Sequence, residues 1–181
     1  MKLTNDREHF GIVSIVLHWS IALLTIALFF LGLWLVELDY YDPWFQLAPW
    51  WHKGLGVLTL LLVIVRIVWK GFSIKSLLNT SIPDWQKTLA TLIHGFLDML
   101  LIVICLTGYF IVTARGDSLP VFDLFEIPAI LDTVKNMEEF AGEAHYLLAY
   151  LMMVIVSVHI LAALKHHFIN RDNILRRMLG R

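Results

Sequence analysis

The stretch EEFAGEAHYLLAYLMMVIVSVHILAALKHHF, Glu138 to Phe168, decides how the rest of the chain is read. Two histidines, His145 and His159, interrupt an otherwise apolar run. They stand fourteen residues apart. At about 100° per residue, a helix brings the second side chain to within about 40° of the first, about 21 Å further along the axis. Both imidazoles therefore leave one face of one helix at two depths. The run is long enough to cross a hydrocarbon layer of about 30 Å. Ionisable groups at such depths are costly and mark function. Two inward histidines at two depths suggest two cofactors stacked across a membrane.

Composition agrees with a membrane setting. Of 181 residues, 59% are hydrophobic and 16% charged, with mean hydropathy +0.73. Soluble domains hold about 45–50% apolar and about 25% charged residues. The expected fold class is all-α, an integral membrane four-helix bundle forming one domain over residues 1–181. Its spans are expected at about 11–36, 52–70, 88–113 and 141–168. Membrane lipid is the expected surrounding, and no nucleic-acid partner is expected at a net charge of −1. The single cysteine, Cys105, excludes an internal disulfide and a CxxCH covalent haem attachment.

The first run, GIVSIVLHWSIALLTIALFFLGLWLV, is too long for the apolar part of a signal peptide and is expected to be retained. It carries His18. The second begins at His52 and carries Arg66 fourteen residues later, on the same face. The third carries His94 and Asp98. All five prolines are expected outside the spans, with Gly71, Asn79 and Ser81 as breakers or caps before the third. DTVKNMEEF is expected as a short surface helix capped by Asp132.

Charge sets the orientation. Eleven of the fourteen Lys and Arg fall on the side of the two termini, with four acids. Three bases, Lys53, Arg115 and Lys135, face ten acids on the other side. Both termini are therefore expected in the cytoplasm. Trp19, Trp34, Trp51, Trp69 and Trp85 sit at span ends, as an interfacial belt would.

With that topology, His52 and His145 lie at an outer level and His18, His94 and His159 at an inner one. Bis-histidine haem b needs one pair per level, and four-helix bundles build such sites from facing helices. Spacing alone leaves His18 and His94 as alternatives for the inner partner of His159. Gly32 and Gly108 each lie fourteen residues after a histidine, where a missing side chain would let a flat macrocycle approach the backbone. Arg66 is expected near an inner haem propionate and Lys53 near an outer one. His94, one turn before Asp98, is expected to contact it in a polar relay or at a propionate.

The pieces IVLHW, HKGLGVLTLLLVIVR, LIHGFLDMLLIVICLTG, GEAH and VHILAALKHHFINRDNILRRM resemble the bacterial cytochrome b561 family, over nearly the whole chain. The resemblance implies two non-covalent haem b groups, with His18 and His159 holding the inner iron and His52 and His145 the outer. It implies a bacterial inner-membrane protein that passes electrons from a periplasmic-side donor, a small molecule or a redox protein, to ubiquinone. One branch, superoxide oxidase, oxidises superoxide and reduces ubiquinone, which makes oxidoreductase activity an expectation. In that branch the position of His166 lies near the quinone. Other members serve as cytochrome b anchor subunits of hydrogenases and respiratory dehydrogenases, the alternative expectation. A histidine-lined metal or proton transporter without haem is a third.

Overall fold

The computed structural model describes residues 2–6, 9–74, 83–131 and 133–180. Four long helices make up most of it: α1 (Ile12–Leu35), α2 (Leu47–Phe72), α3 (Asp84–Thr113) and α4 (Met137–Phe168). A short hairpin, β1 (Leu119–Val121) and β2 (Phe125–Ile127), lies between α3 and α4, and α5 (Ile174–Met178) follows α4. Each long helix is apolar and long enough to cross a membrane. Together they form an all-α membrane bundle.

Charge at the helix ends suits the helix dipoles. Asp84 opens α3 behind Pro83, and Glu138 and Glu139 open α4. Lys70 closes α2, and Lys165, His166 and His167 close α4. Sequence neighbours pack as antiparallel pairs, α1 on α2, α2 on α3 and α3 most closely on α4, while α1 and α4 meet sparsely. The bundle is therefore up-down-up-down. Its core lies at mid-depth, where Ile21, Val63, Leu100, Leu101, Ile104 and Met152 are buried together. The opposite faces expose Leu23, Leu147, Val154 and Leu161. Apolar side chains turned outward suit a surround of lipid tails as apolar as leucine.

Several local expectations are corrected. Pro49 lies inside α2, at its third residue, rather than before it. The first N–H groups of a helix have no intrahelical acceptor, so proline costs little there. His52 consequently sits more than a turn inside α2. Residues 133–140 do not form a separate surface helix. Their second half opens α4, behind Asn136 in a left-handed conformation (φ 62°). Asp132, Asn79 and Ser81, expected as caps or breakers, lie outside the described residues, as do Arg7, Glu8, Lys75 and Arg181 from the charge count.

The hairpin and α5 were not foreseen. Between the strands, Phe122 and Asp123 both take positive φ (49° and 56°), which L-residues rarely adopt. Packing holds them there. The Phe122 ring lies so close to Gly54 that a Cβ at that glycine would stand 2.5 Å from it. Trp50 Nε1 donates to Asp123 Oδ2 at 2.8 Å. At the other end of the bundle, Trp19 Nε1 donates to the Met178 carbonyl at 2.8 Å, fastening α5 to α1 beside His18.

Candidate haem-binding sites

At one level His52 of α2 and His145 of α4 face each other, their ring centres 6.1 Å apart. His145 Nδ1 lies 2.9 Å from the Ile104 carbonyl and 3.2 Å from Thr107 Oγ1, whose own proton goes to Ile104. A proton on Nδ1 donated to that carbonyl leaves the Nε2 lone pair free to coordinate, since the hydrogen bond at one ring nitrogen sets the tautomer. His52 Nδ1 is buried with no hydrogen-bond partner among the described residues.

Two glycines frame these rings. A Cβ at Gly32 would stand 3.2 Å from His52 Cε1, and one at Gly108 would stand 3.2 Å from His145 Cε1. What the missing side chains accommodate among the described atoms is therefore the two imidazoles. Lys53 is half-buried at this level and makes no hydrogen bond or ion pair among the described residues.

At the other level three histidines converge. His18 of α1 stands 6.4 Å from His159 of α4 between ring centres, and His94 of α3 stands 5.1 Å from the same ring. His94 Nδ1 lies 2.6 Å from the Ala90 carbonyl, one turn back in its own helix. The expected contact of His94 with Asp98 is not formed. Asp98, 6% exposed, receives Arg66 at 3.1 Å and Lys70 at 3.0 Å instead. Two cations compensate a buried carboxylate better than a neutral imidazole can. Arg66 thus uses one nitrogen on Asp98, and its guanidinium has further donors.

Past this level, His166 Nδ1 lies 2.5 Å from Asp172 Oδ2. Asp172 and Lys70 are site neighbours that sequence reasoning missed. Asp172 falls beyond the end of α4, where helical spacing carries no signal. Lys70 reads as a snorkelling end residue until α3 is placed beside it.

A family model described as prokaryotic cytochrome b561 matches residues 9–181. The chain belongs to the prokaryotic cytochrome b561 family. Among its relatives is cytochrome b561 homolog 2 of Escherichia coli (strain K12), 38% identical over 181 residues, covering 100% of this chain and 96% of the relative. Cytochrome b561 homolog 1 of the same organism is 27% identical over 96% of this chain and 98% of its own length. The probable superoxide oxidase CybB of Yersinia pestis is 26% identical over 96% of this chain and 97% of its own. Membrane electron transfer is the business of a cytochrome b561, and the family implies haem b.

The residues present fit that group. Two metal–imidazole bonds of about 2 Å, each with the ring centre about 1 Å beyond the nitrogen, set facing imidazole centres about 6 Å apart. His52 with His145, and His18 with His159, have that separation. His94 with His159 is closer by about 1 Å on the same measure.

Proposed function

We propose that this cytochrome b561 carries two haem b groups, the outer held by His52 and His145 and the inner by His18 and His159. Ring separations of 6.1 and 6.4 Å at two levels along α4 carry the reading. Haem b supplies reversible one-electron transfer, and the protein supplies ligands, levels and insulation. α4 contributes a ligand to each level and so ties the two together. The Ile104 carbonyl orients His145. Arg66, still holding donors beyond its Asp98 pair, is the inner propionate partner. Lys53, with no hydrogen bond or ion pair among the described residues, is the outer one. The apolar core between the levels, from Ile21 to Met152, excludes water from the path.

In this reading the chain is one domain in the bacterial inner membrane, with both termini in the cytoplasm. The bias of eleven Lys and Arg on that side against three on the other supports it. Electrons enter from a periplasmic-side donor and leave to ubiquinone beside His166. The relative named probable superoxide oxidase CybB supports superoxide as that donor. The acidic outer face opposes a simple electrostatic capture of an anion, and Arg115 is spent on Glu138 at 2.7 Å. The role of anchor subunit for a respiratory dehydrogenase is the alternative, and electron transfer from a small donor to quinone by the isolated chain separates the two.

The test is haem stoichiometry and spectrum. Purified protein should show a reducible, low-spin b-type spectrum with two haems per chain, released by acid acetone because neither is covalent. One haem per chain in intact protein rejects the proposal. A colourless protein favours a transporter.

A further inference from the structure

Seven residues beyond His159 on α4 is His166. Seven residues advance about 10.5 Å and return to within about 20° of the same face. His166 therefore continues the line of His145 and His159 to the end of the helix, where the chain leaves the apolar layer. There it meets a carboxylate. Its Nδ1 lies 2.5 Å from Oδ2 of Asp172, and the side chain of Asp172 is only 7% exposed.

The turn that presents Asp172 is built for the contact. Arg171 takes a left-handed conformation (φ 53°), which reverses the chain, and Asp172 N donates to the His166 carbonyl at 3.1 Å. The other carboxylate oxygen, Oδ1, accepts from Ile174 N at 3.2 Å at the start of α5. Asn170 Nδ2 stands 3.2 Å from the same imidazole nitrogen. The Trp19 bond to Met178 then locks α5 against α1. Both oxygens of Asp172 are thus used, one to hold its own turn and one to hold His166. His166 Nε2 makes no hydrogen bond or ion pair among the described residues.

A buried carboxylate on Nδ1 does two things to a histidine. It fixes the ring with Nε2 outward, and by holding the Nδ1 proton it leaves Nε2 as the nitrogen that gives up and takes back a proton. We propose that Asp172 is a positioning residue that makes His166 the proton donor to the quinone. This rests on the quinone reading above. Reducing one quinone to quinol takes two electrons and two protons. The electrons come from the periplasmic-side one-electron donor, one at a time. Each proton leaves His166 Nε2 for a quinone oxygen, breaking an N–H bond and forming an O–H bond. His166 is left neutral, its Nδ1–H still donated to Asp172 Oδ2, and water on the cytoplasmic side returns a proton to Nε2 before the second transfer.

The experiment is stopped-flow reoxidation of the pre-reduced, haem-loaded protein in nanodiscs by a short-chain ubiquinone, in H2O and D2O. Wild type, Asp172→Asn, Asp172→Glu and His166→Gln are compared. Asparagine keeps an oxygen for Ile174 N but sets an NH2 donor where Oδ2 accepted from His166, so the charge and the hold on the Nδ1 tautomer are lost together. At saturating quinone, Asp172→Asn should slow reoxidation about tenfold or more, short of the roughly 10²–10⁴-fold that general acid catalysis itself contributes. The half-saturating quinone concentration should stay unchanged and the solvent isotope effect should grow. Asp172→Glu should recover most of the rate. A wild-type rate and isotope effect in Asp172→Asn, with His166→Gln slow, overturns the role of Asp172 alone. A rise in half-saturating quinone without a change in isotope effect does the same, since it shows a merely structural part. If ubiquinone does not reoxidise the wild type, or His166→Gln behaves as wild type, the quinone reading at this end fails and takes the inference with it.

Discussion

Gly108 and Gly32 hold the outer histidines from behind, each with room for a hydrogen and little more. Alanine at either position would press a methyl group against an imidazole Cε1 at 3.2 Å, so the ring must shift by a few tenths of an ångström. Overpacking of this kind costs about 1–3 kcal/mol. Gly108→Ala should lower the thermal stability of the outer haem and leave the inner one in place, checked by haem absorbance on heating. His145→Ala or His52→Ala should remove the outer haem alone, leaving one haem per chain by pyridine haemochrome assay. His94→Ala should keep both haems, because His94 stands too near His159 to share an iron with it and its Nδ1 is tied to Ala90. Loss of a haem in that variant reverses the choice of His18. The five histidines and their two levels were legible in the sequence, because helical spacing converts fourteen residues into one face. The choice between His18 and His94 was not, since both lie at the same depth on helices that flank α4.

Among the elements, α2 and α3 are joined by charge as well as by packing. Asp98 sits between Arg66 and Lys70, with its side chain 7% exposed. Removing the anion leaves a poorly solvated guanidinium, a loss of about 3–5 kcal/mol for a buried pair. Asp98→Asn should therefore lower the thermal midpoint clearly more than Lys70→Gln, whose half-exposed ammonium is solvated already. Differential scanning fluorimetry of the two variants checks the order, and equal midpoints would reject the clamp. That the four long helices exist was plain from apolar runs of suitable length. The hairpin was not plain, because its turn uses Phe122 and Asp123 where glycine or asparagine would normally signal positive φ. The Gly54 surface, the Trp50 indole and the Trp51 ring against Phe122 hold those conformations in place. α5 escaped notice for a related reason. Five residues carry too little periodicity, and its docking depends on Trp19, 159 residues away from Met178.

At the scale of the molecule, the proposed orientation puts an acidic face toward the donor. Ten acids face three bases there, and the Arg115–Glu138 pair neutralises one of those bases. Superoxide should reduce the haem slowly at low ionic strength, with a second-order rate that rises as salt screens the repulsion. Stopped-flow reduction at several salt concentrations checks this, and a rate that falls with salt would show a local positive funnel at Lys53 and Lys135. Composition and spacing by themselves determined the membrane class, the four helices, the two histidine levels and the charge asymmetry. These follow from hydropathy, helical pitch and counting, all local or additive along the chain. The tertiary structure alone decided which histidine stands 6.4 Å from His159, that Asp98 turns to Arg66 and Lys70 rather than to His94, and that Asp172 returns to His166. Each of these depends on distances between side chains on different elements or across a turn, and helical periodicity holds no information about how one element is placed against the next.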